Sequence, residues 1–164
     1  MAFVLSSGLT FLLARFGLRG VMPLYWLFTL PGTFVHEMAH WIVALVTGSR
    51  PGFPSLIPHK KDEGGWVLGS VSFRPGFLSG GLVALAPLYL MPPLAYWVYL
   101  WGWSHPDIMI RVLSGYMFSV LVISSWPSRM DFAIAVRHPL GSALVFFCLL
   151  YTSPSPRDRQ KSRM

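Results

Sequence analysis

The stretch Pro31-Gly-Thr-Phe-Val-His-Glu-Met-Ala-His40-Trp-Ile-Val-Ala-Leu-Val-Thr-Gly48 decides how the fold is interpreted, because it places two histidines and a glutamate inside an apolar segment. The segment extends back to Met22 without a charged residue, and its length and apolar character indicate a helix. Pro31-Gly32 is expected to kink this helix or to start a new one with Thr33 as its N-cap. In either case residues 36–46 are predicted to be helical.

Composition indicates a membrane protein. The chain has 164 residues, of which 54% are hydrophobic, and its mean hydropathy of +0.55 is well above that of soluble domains. Residues 20–35, 75–104 and 112–128 contain no Asp, Glu, Lys or Arg. A helix needs roughly 20 apolar residues to cross the hydrocarbon core of a bilayer, so these segments predict several membrane spans. The expected fold class is an all-α polytopic membrane protein with about four to five transmembrane helices, multi-pass in a bacterial-type cell membrane.

Four apolar segments besides the histidine-containing one are predicted to be spans or parts of spans. They cover residues 2–18, 81–103, 107–125 and 132–150. Pro87, Pro92 and Pro93 lie inside the second of these segments and are expected to kink or break its helix, which neighbouring helices can tolerate in a membrane.

A polar interval between the histidine-containing helix and the next span is predicted to form a β-hairpin. Residues 53–58 and 66–73 flank the run Lys60-Lys61-Asp62-Glu63-Gly64-Gly65, which is polar and ends in a glycine turn. One β-hairpin is therefore expected in an otherwise helical protein.

The end of the chain differs in composition from the rest. Residues 148–164 include the polar, basic run Tyr151-Thr-Ser-Pro-Ser-Pro-Arg-Asp-Arg-Gln-Lys-Ser-Arg-Met164, which resembles a translated sequencing-adaptor run and is interpreted as a non-native or disordered tail. Residues 1–147 are expected to form a single integral-membrane domain. The formal net charge of +7 is assigned to membrane-flanking loops rather than to nucleic-acid binding, because basic and aromatic residues do not interleave on a soluble face. The single cysteine, Cys148, excludes an internal disulfide.

The pattern His36-Glu37-Met38-Ala39-His40 carries the chemistry. Residues four apart share one face of a helix, so His36 and His40 can both bind one metal ion, with Glu37 beside them. Zn²⁺ lowers the pKa of a bound water toward about 7, and a neighbouring glutamate can take its proton as the water attacks a carbonyl carbon. We therefore expect a Zn²⁺ cofactor with His36 and His40 as ligands and Glu37 as the catalytic acid/base. The alternative is that both histidines are buried hydrogen-bonding residues paired with Glu37.

Two histidines leave a catalytic zinc site one protein ligand short, because such sites usually have three protein ligands and a water. Asp131 is the favoured third ligand, since it is the carboxylate other than Glu37 that is most tightly bracketed by apolar sequence. The alternative for Asp131 is an ordinary interfacial residue paired with Arg129. The other candidates, all weaker, are Asp107, Glu63, Asp62, His59, His105 and His138.

Several of these segments together resemble a known family. The stretch 31–48, the hairpin, the segment Ala84-Leu-Ala-Pro-Leu-Tyr89 and the segment Pro127-Ser-Arg-Met-Asp131 resemble the site-2 protease family of membrane-embedded zinc metalloproteases, over roughly residues 30–140. The chain looks like a divergent member, because Asp131 lacks the family's Asn-Pro-x-Asp-Gly-like surroundings. It also looks C-terminally truncated, because the segment interpreted as a tail interrupts the last predicted span.

The resemblance implies roles for particular residues. It assigns His36, His40 and Asp131 as zinc ligands and Glu37 as the catalytic acid/base. It also suggests that a β-edge of the hairpin, along residues 66–73, holds the substrate as an added strand. The alternative for this strand is a surface hairpin that shields the helices.

The function expected from these features is hydrolysis of peptide bonds in transmembrane or membrane-proximal segments by a zinc metalloendopeptidase. Its partners would be a membrane-protein substrate and the lipid bilayer, without nucleic acid. The alternative is a non-catalytic zinc-binding membrane protein, a pseudoprotease that binds or regulates membrane partners, for which Glu37 would not be needed. A transporter is disfavoured because the chain does not show paired inverted halves.

Overall fold

The computed structural model describes residues 1–17, 21–60 and 66–152, and it is a helical protein with one small β-hairpin. The described elements are α1 (Ala2–Leu12), a π-helical turn (Leu13–Gly17), α2 (Met22–Val46), β1 (His59–Lys60), β2 (Trp66–Val67), α3 (Ser79–Ala84), α4 (Ala86–Ser104), α5 (Ile108–Ser124), α6 (Arg129–Arg137) and α7 (Pro139–Thr152). The predicted helical fold with a β-hairpin after the histidine-containing helix is confirmed.

Helix α2 runs without a break through Pro31, so no new helix begins at Thr33. Proline removes one hydrogen bond from a helix interior, and contacts with α5 stabilise α2 on both sides of this position. The Tyr116 hydroxyl donates to the Phe28 carbonyl at 2.7 Å, and a Cβ atom built on Gly32 would lie 2.6 Å from Cγ1 of Val120. The close approach of α5 therefore accompanies a helix that continues through Pro31, where the sequence predicts a kink or a restart.

In the described part of the chain, helical segments are interrupted at three other places. The helix predicted over residues 81–103 is divided into α3 and α4 at Leu85, two residues before Pro87, which confirms the expected break, whereas α4 is continuous through Pro92 and Pro93. α5 and α6 are bent by 49° across residues 125–128. The predicted span 132–150 is likewise divided into α6 and α7, which meet at His138.

The packing of the helices forms two groups around α2. Phe3 of α1 lies among Tyr99, Trp103 and Phe118, which joins α1 to α4 and α5. On the other side α3 packs against α6 and α7, and the buried residues of this group include Ala84, Leu85, Ala135 and Val145. α2 contacts α3, α4 and α5, so its central turns lie between the two groups.

The hairpin lies along α2. The Arg74 amide donates to the Ser49 carbonyl at 2.9 Å close to the C-terminal end of α2, and Ser55 and Ser70 form an antiparallel bridge further along. The Trp26 indole N–H donates to the Leu56 carbonyl at 3.1 Å. The hairpin therefore follows α2 from its last turn back toward its first turns.

The length and hydropathy of the helices bear on the predicted membrane spans. Among residues 1–17, 21–60 and 66–152, no helix taken alone is both long and apolar enough to cross a bilayer, while the bent pair α5 and α6 meets that requirement together. Helix α7 extends through residues 148–152 of the segment interpreted as a tail, and residues 153–164 lie outside the described residues.

Candidate metal centre

The side chains of His36, His40 and Asp131 converge between α2 and α6. The Nε2 atoms of the two histidines are 3.2 Å apart. Oδ1 of Asp131 lies 3.4 Å from Nε2 of His40, and Oδ2 lies 3.8 Å from Nε2 of His36. All three residues are close to fully buried, with exposed fractions of 9%, 4% and 9%. This group could hold a metal ion.

The other nitrogen of each imidazole is bound to a backbone carbonyl. Nδ1 of His36 donates to the carbonyl of Ser124 at 2.6 Å, and Nδ1 of His40 donates to the carbonyl of Val83 at 2.7 Å. A carbonyl oxygen only accepts, so both Nδ1 atoms carry the hydrogen and both neutral rings present the Nε2 lone pair to the centre. Metal-ligating histidines are oriented by such outer hydrogen bonds.

Asp131 is positioned by the start of α6. It is the third residue of that helix, and its backbone amide donates to Oγ of the N-cap Ser128 at 3.2 Å. In return the Ser128 amide donates to Oδ2 of Asp131 at 2.7 Å, which completes a capping box. The carboxylate is therefore fixed by the helix start and directs Oδ1 toward His40.

The donor set fits a four-coordinate cation. Zn²⁺ binds N and O ligands at about 2.0–2.2 Å, which at tetrahedral angles separates ligand atoms by roughly 3.3 Å. The observed separations of 3.2, 3.4 and 3.8 Å lie close to that value. With both Nδ1 hydrogens in use, three acceptors face one another. A proton satisfies one pair of them, whereas a cation satisfies all three and leaves a fourth position open.

Glu37 is buried beside this group, with an exposed fraction of 6%, and it interacts electrostatically with both histidines and Asp131. The hairpin covers its side chain, because a Cβ atom built on Gly69 would lie 2.8 Å from Cγ and 2.8 Å from Oε1 of Glu37. A glycine at position 69 therefore allows the strand backbone to pass directly over this carboxylate.

Three further sequence candidates for the third ligand, all within the described residues, do not reach the centre. Asp107 caps α5 by accepting from the Met109 amide at 2.7 Å, and His105 accepts from the Asp107 amide in the same turn. His138 lies at the junction of α6 and α7, with its ring over Gly80. Asp62 and Glu63 lie outside the described residues, as does the side chain of His59. No ion pair between Asp131 and Arg129 is found in the part of the chain that the structure describes.

Sequence reasoning missed the groups that orient the ligands. The carbonyls of Val83 and Ser124 carry no sequence signal, because any residue supplies a carbonyl. The sequence gives no signal for Gly69 either, because its role depends on Glu37, which lies beside it only in the folded protein. Ser128 could have been found, since a serine three residues before Asp131 at the start of an apolar run is the pattern of a capping box.

Comparisons with known proteins add no relative: no family model matches the chain, and neither the curated proteins nor the solved structures give a significant match.

Proposed function

We propose that this protein is a membrane-embedded zinc metalloendopeptidase that hydrolyses peptide bonds in transmembrane or membrane-proximal segments of other proteins. The observation that carries the proposal is the convergence of His36 and His40 with Asp131, which lies 95 and 91 positions after them on a different helix, beside the buried carboxylate of Glu37. A buried carboxylate next to three metal-ligand groups is the arrangement that a hydrolytic site of this kind requires.

The residues of the chain divide the chemistry between them. Zinc, when bound, polarises the substrate carbonyl and lowers the pKa of the attacking water. His36, His40 and Asp131 would hold it and leave one position for water or substrate. The Glu37 carboxylate accepts the proton of the water as its oxygen bonds to the peptide carbon. Glu37 then returns that proton to the amine nitrogen as the carbon–nitrogen bond breaks. Its burial keeps bulk water from competing for the proton.

The hairpin offers a place for an extended substrate. The backbone groups of the second half of the hairpin pair with the chain before it: Ser70 with Ser55, Ser72 with Gly52 and Arg74 with Ser49. Gly69, Val71 and Phe73 alternate with these residues along the chain, and their backbone N–H and carbonyl groups have no backbone hydrogen bond to the described residues. A substrate strand added along this edge would lie next to Glu37, because Gly69 contacts its side chain.

The distribution of small and large side chains supports a membrane location. Beside the aromatic cluster around Phe3, small residues bring α1 and α5 close together: the Ser7 and Ser119 hydroxyls are 2.8 Å apart, and a Cβ on Gly115 would lie 2.6 Å from the Phe3 carbonyl oxygen. Large apolar side chains on the same helices point outward, including Leu5 and Leu113, which are 71% and 61% exposed. Small residues inside and large apolar residues outside are typical of helices packed in lipid.

The proposal is tested by comparing the wild type with Glu37→Gln in detergent. Synthetic single-span peptides with glycine or proline near one end serve as substrates, and products are identified by mass spectrometry. We expect cleavage by the wild type and at least a 10²-fold loss in Glu37→Gln, which retains its zinc. Equal cleavage by both proteins contradicts the role of Glu37. Zinc binding without cleavage by the wild type favours the non-catalytic zinc-binding alternative.

A further inference from the structure

The two carbonyls that orient the histidines both lie at the C-terminal ends of interrupted helices. Val83 is the second-last residue of α3, and Ser124 is the last residue of α5. The last carbonyls of a helix lack intrahelical donors and need other partners. The imidazole Nδ1–H groups of His40 and His36 supply those partners.

At each of these two carbonyls a proline replaces one helical donor, while the C-cap amide of Leu85 also reaches the Val83 carbonyl. In a continuous helix the Val83 carbonyl would accept from the amide four residues later, but that residue is Pro87, which has no N–H. The residue three positions after Ser124 is Pro127. The next amide, that of Ser128, donates to Asp131 Oδ2 at 2.7 Å.

We propose that Pro87 and Pro127 are positioning residues for the metal centre: each keeps a carbonyl available to an imidazole Nδ1–H and so directs the Nε2 lone pair toward Asp131. The consequence for metal affinity rests on the proposed function, whereas the tautomer of each histidine does not. A competing explanation for Pro87 is that proline is simply favoured in the first turn of α4. The two explanations differ in whether the missing N–H matters to His40.

Helix α4 provides matched controls. Pro92 and Pro93 also lie in it, and their missing amides would face the carbonyls of Leu88 and Tyr89. Among the described residues, neither of these carbonyls accepts from an imidazole. Replacing Pro92 or Pro93 with alanine therefore removes a proline from the same helix, as Pro87→Ala does, without adding a donor beside the metal centre.

The decisive test compares two replacements of Pro87 in the full chain in detergent. Pro87→Ala introduces an N–H four residues after Val83. The α-hydroxy-acid analogue of alanine at the same position has an ester oxygen there and, like proline, no N–H. Nitrogen NMR of ¹⁵N-labelled histidine in the metal-free protein reports the tautomer of His40, and zinc titration reports affinity.

We expect Pro87→Ala to lose the pure Nδ1–H tautomer of His40 and to weaken zinc binding about 10- to 100-fold, the effect typical of outer-shell changes. The ester variant, Pro92→Ala and Pro93→Ala should keep the wild-type tautomer and affinity. Pro127→Ala should act on His36 in the same direction as Pro87→Ala acts on His40.

Two results would overturn the inference. One is an unchanged tautomer in Pro87→Ala. The other is an equal change in the alanine and ester variants, which would assign the effect to the proline ring rather than to the missing N–H. Failure of the wild type to bind zinc would overturn the proposed function instead, while the tautomer measurement on metal-free protein would still decide the role of the prolines.

Discussion

Asp131 has two tasks that a single substitution can separate. Its Oδ2 accepts from the Ser128 amide and thereby caps α6, and its carboxylate faces His36 and His40. Asp131→Asn keeps an oxygen that can accept from Ser128 but replaces an anionic ligand with a neutral one. We expect zinc affinity to fall by more than the 10- to 100-fold typical of outer-shell changes, with the thermal stability of the metal-free protein nearly unchanged. Isothermal titration and thermal unfolding measure the two effects.

Asp107→Asn is the matched control for this prediction. Asp107 is also a helix-capping aspartate, since its Oδ1 accepts from the Met109 amide at 2.7 Å, but it lies in the turn between α4 and α5 and is exposed. Its replacement should leave zinc binding unchanged. If Asp107→Asn and Asp131→Asn weaken zinc binding equally, Asp131 is not the third ligand.

The residues of the metal centre that could be predicted from the sequence are those whose residue type indicates their chemistry. His36, Glu37 and His40 stand in a fixed spacing, and Asp131 stands out because carboxylates are rare in apolar sequence. Gly69 was not predictable, because its importance depends on the strand passing over Glu37. That contact joins positions far apart in the chain, and no local pattern encodes it.

At the scale of elements, the approach of α5 to α2 sets the bond between His36 and the Ser124 carbonyl. The two helices lie close together at Gly32: a Cβ atom there would lie 2.6 Å from Val120 Cγ1 and 2.7 Å from the Val120 carbonyl oxygen. Gly32→Ala should therefore destabilise the protein by about 1–3 kcal/mol, the usual cost of overpacking. It should also weaken zinc binding, because α5 must move away. Thermal unfolding and zinc titration check both effects.

Gly8 in α1 is the control for this prediction, because a Cβ atom built on it meets no other atom within 4 Å. Alanine is favoured over glycine within a helix by roughly 0.5–1 kcal/mol, so Gly8→Ala should be neutral or slightly stabilising and should not change zinc affinity. Destabilisation by Gly8→Ala as large as that by Gly32→Ala would show that the α2–α5 contact has no special role.

The positions of most helices were predictable from apolar segments, and so was a break in the segment 81–103, but the other interruptions were not. Proline in the sequence indicates a missing N–H, and whether the helix breaks there depends on its neighbours. α2 is continuous through Pro31 beside α5, and α4 is continuous through Pro92 and Pro93. The breaks occur at Leu85, at residues 125–128 and at His138, and carbonyls next to the first two bind the histidines. Tertiary contacts, absent from the local sequence, decide between these outcomes.

At the scale of the whole molecule, the outward-facing apolar side chains lead to a prediction about extraction. Trp97 and Phe147, on two different helices, are 62% and 68% exposed, and such surface is stable in lipid but not in water. The chain expressed in bacteria should remain in the membrane pellet after washing with alkaline carbonate and should require detergent for release. Recovery of folded protein in the carbonate supernatant would contradict the proposed membrane location.

The central claim is that His36, His40 and Asp131 bind zinc, and X-ray absorption at the zinc edge of the purified protein tests it most directly. We expect about one zinc per chain in a four-coordinate site, with two imidazole nitrogens at about 2.0–2.1 Å and oxygen ligands at about 2.0–2.2 Å. The imidazole signal should disappear in the double variant His36→Ala, His40→Ala. Absence of zinc from the wild type, or a coordination shell without imidazole, would contradict zinc binding by His36, His40 and Asp131.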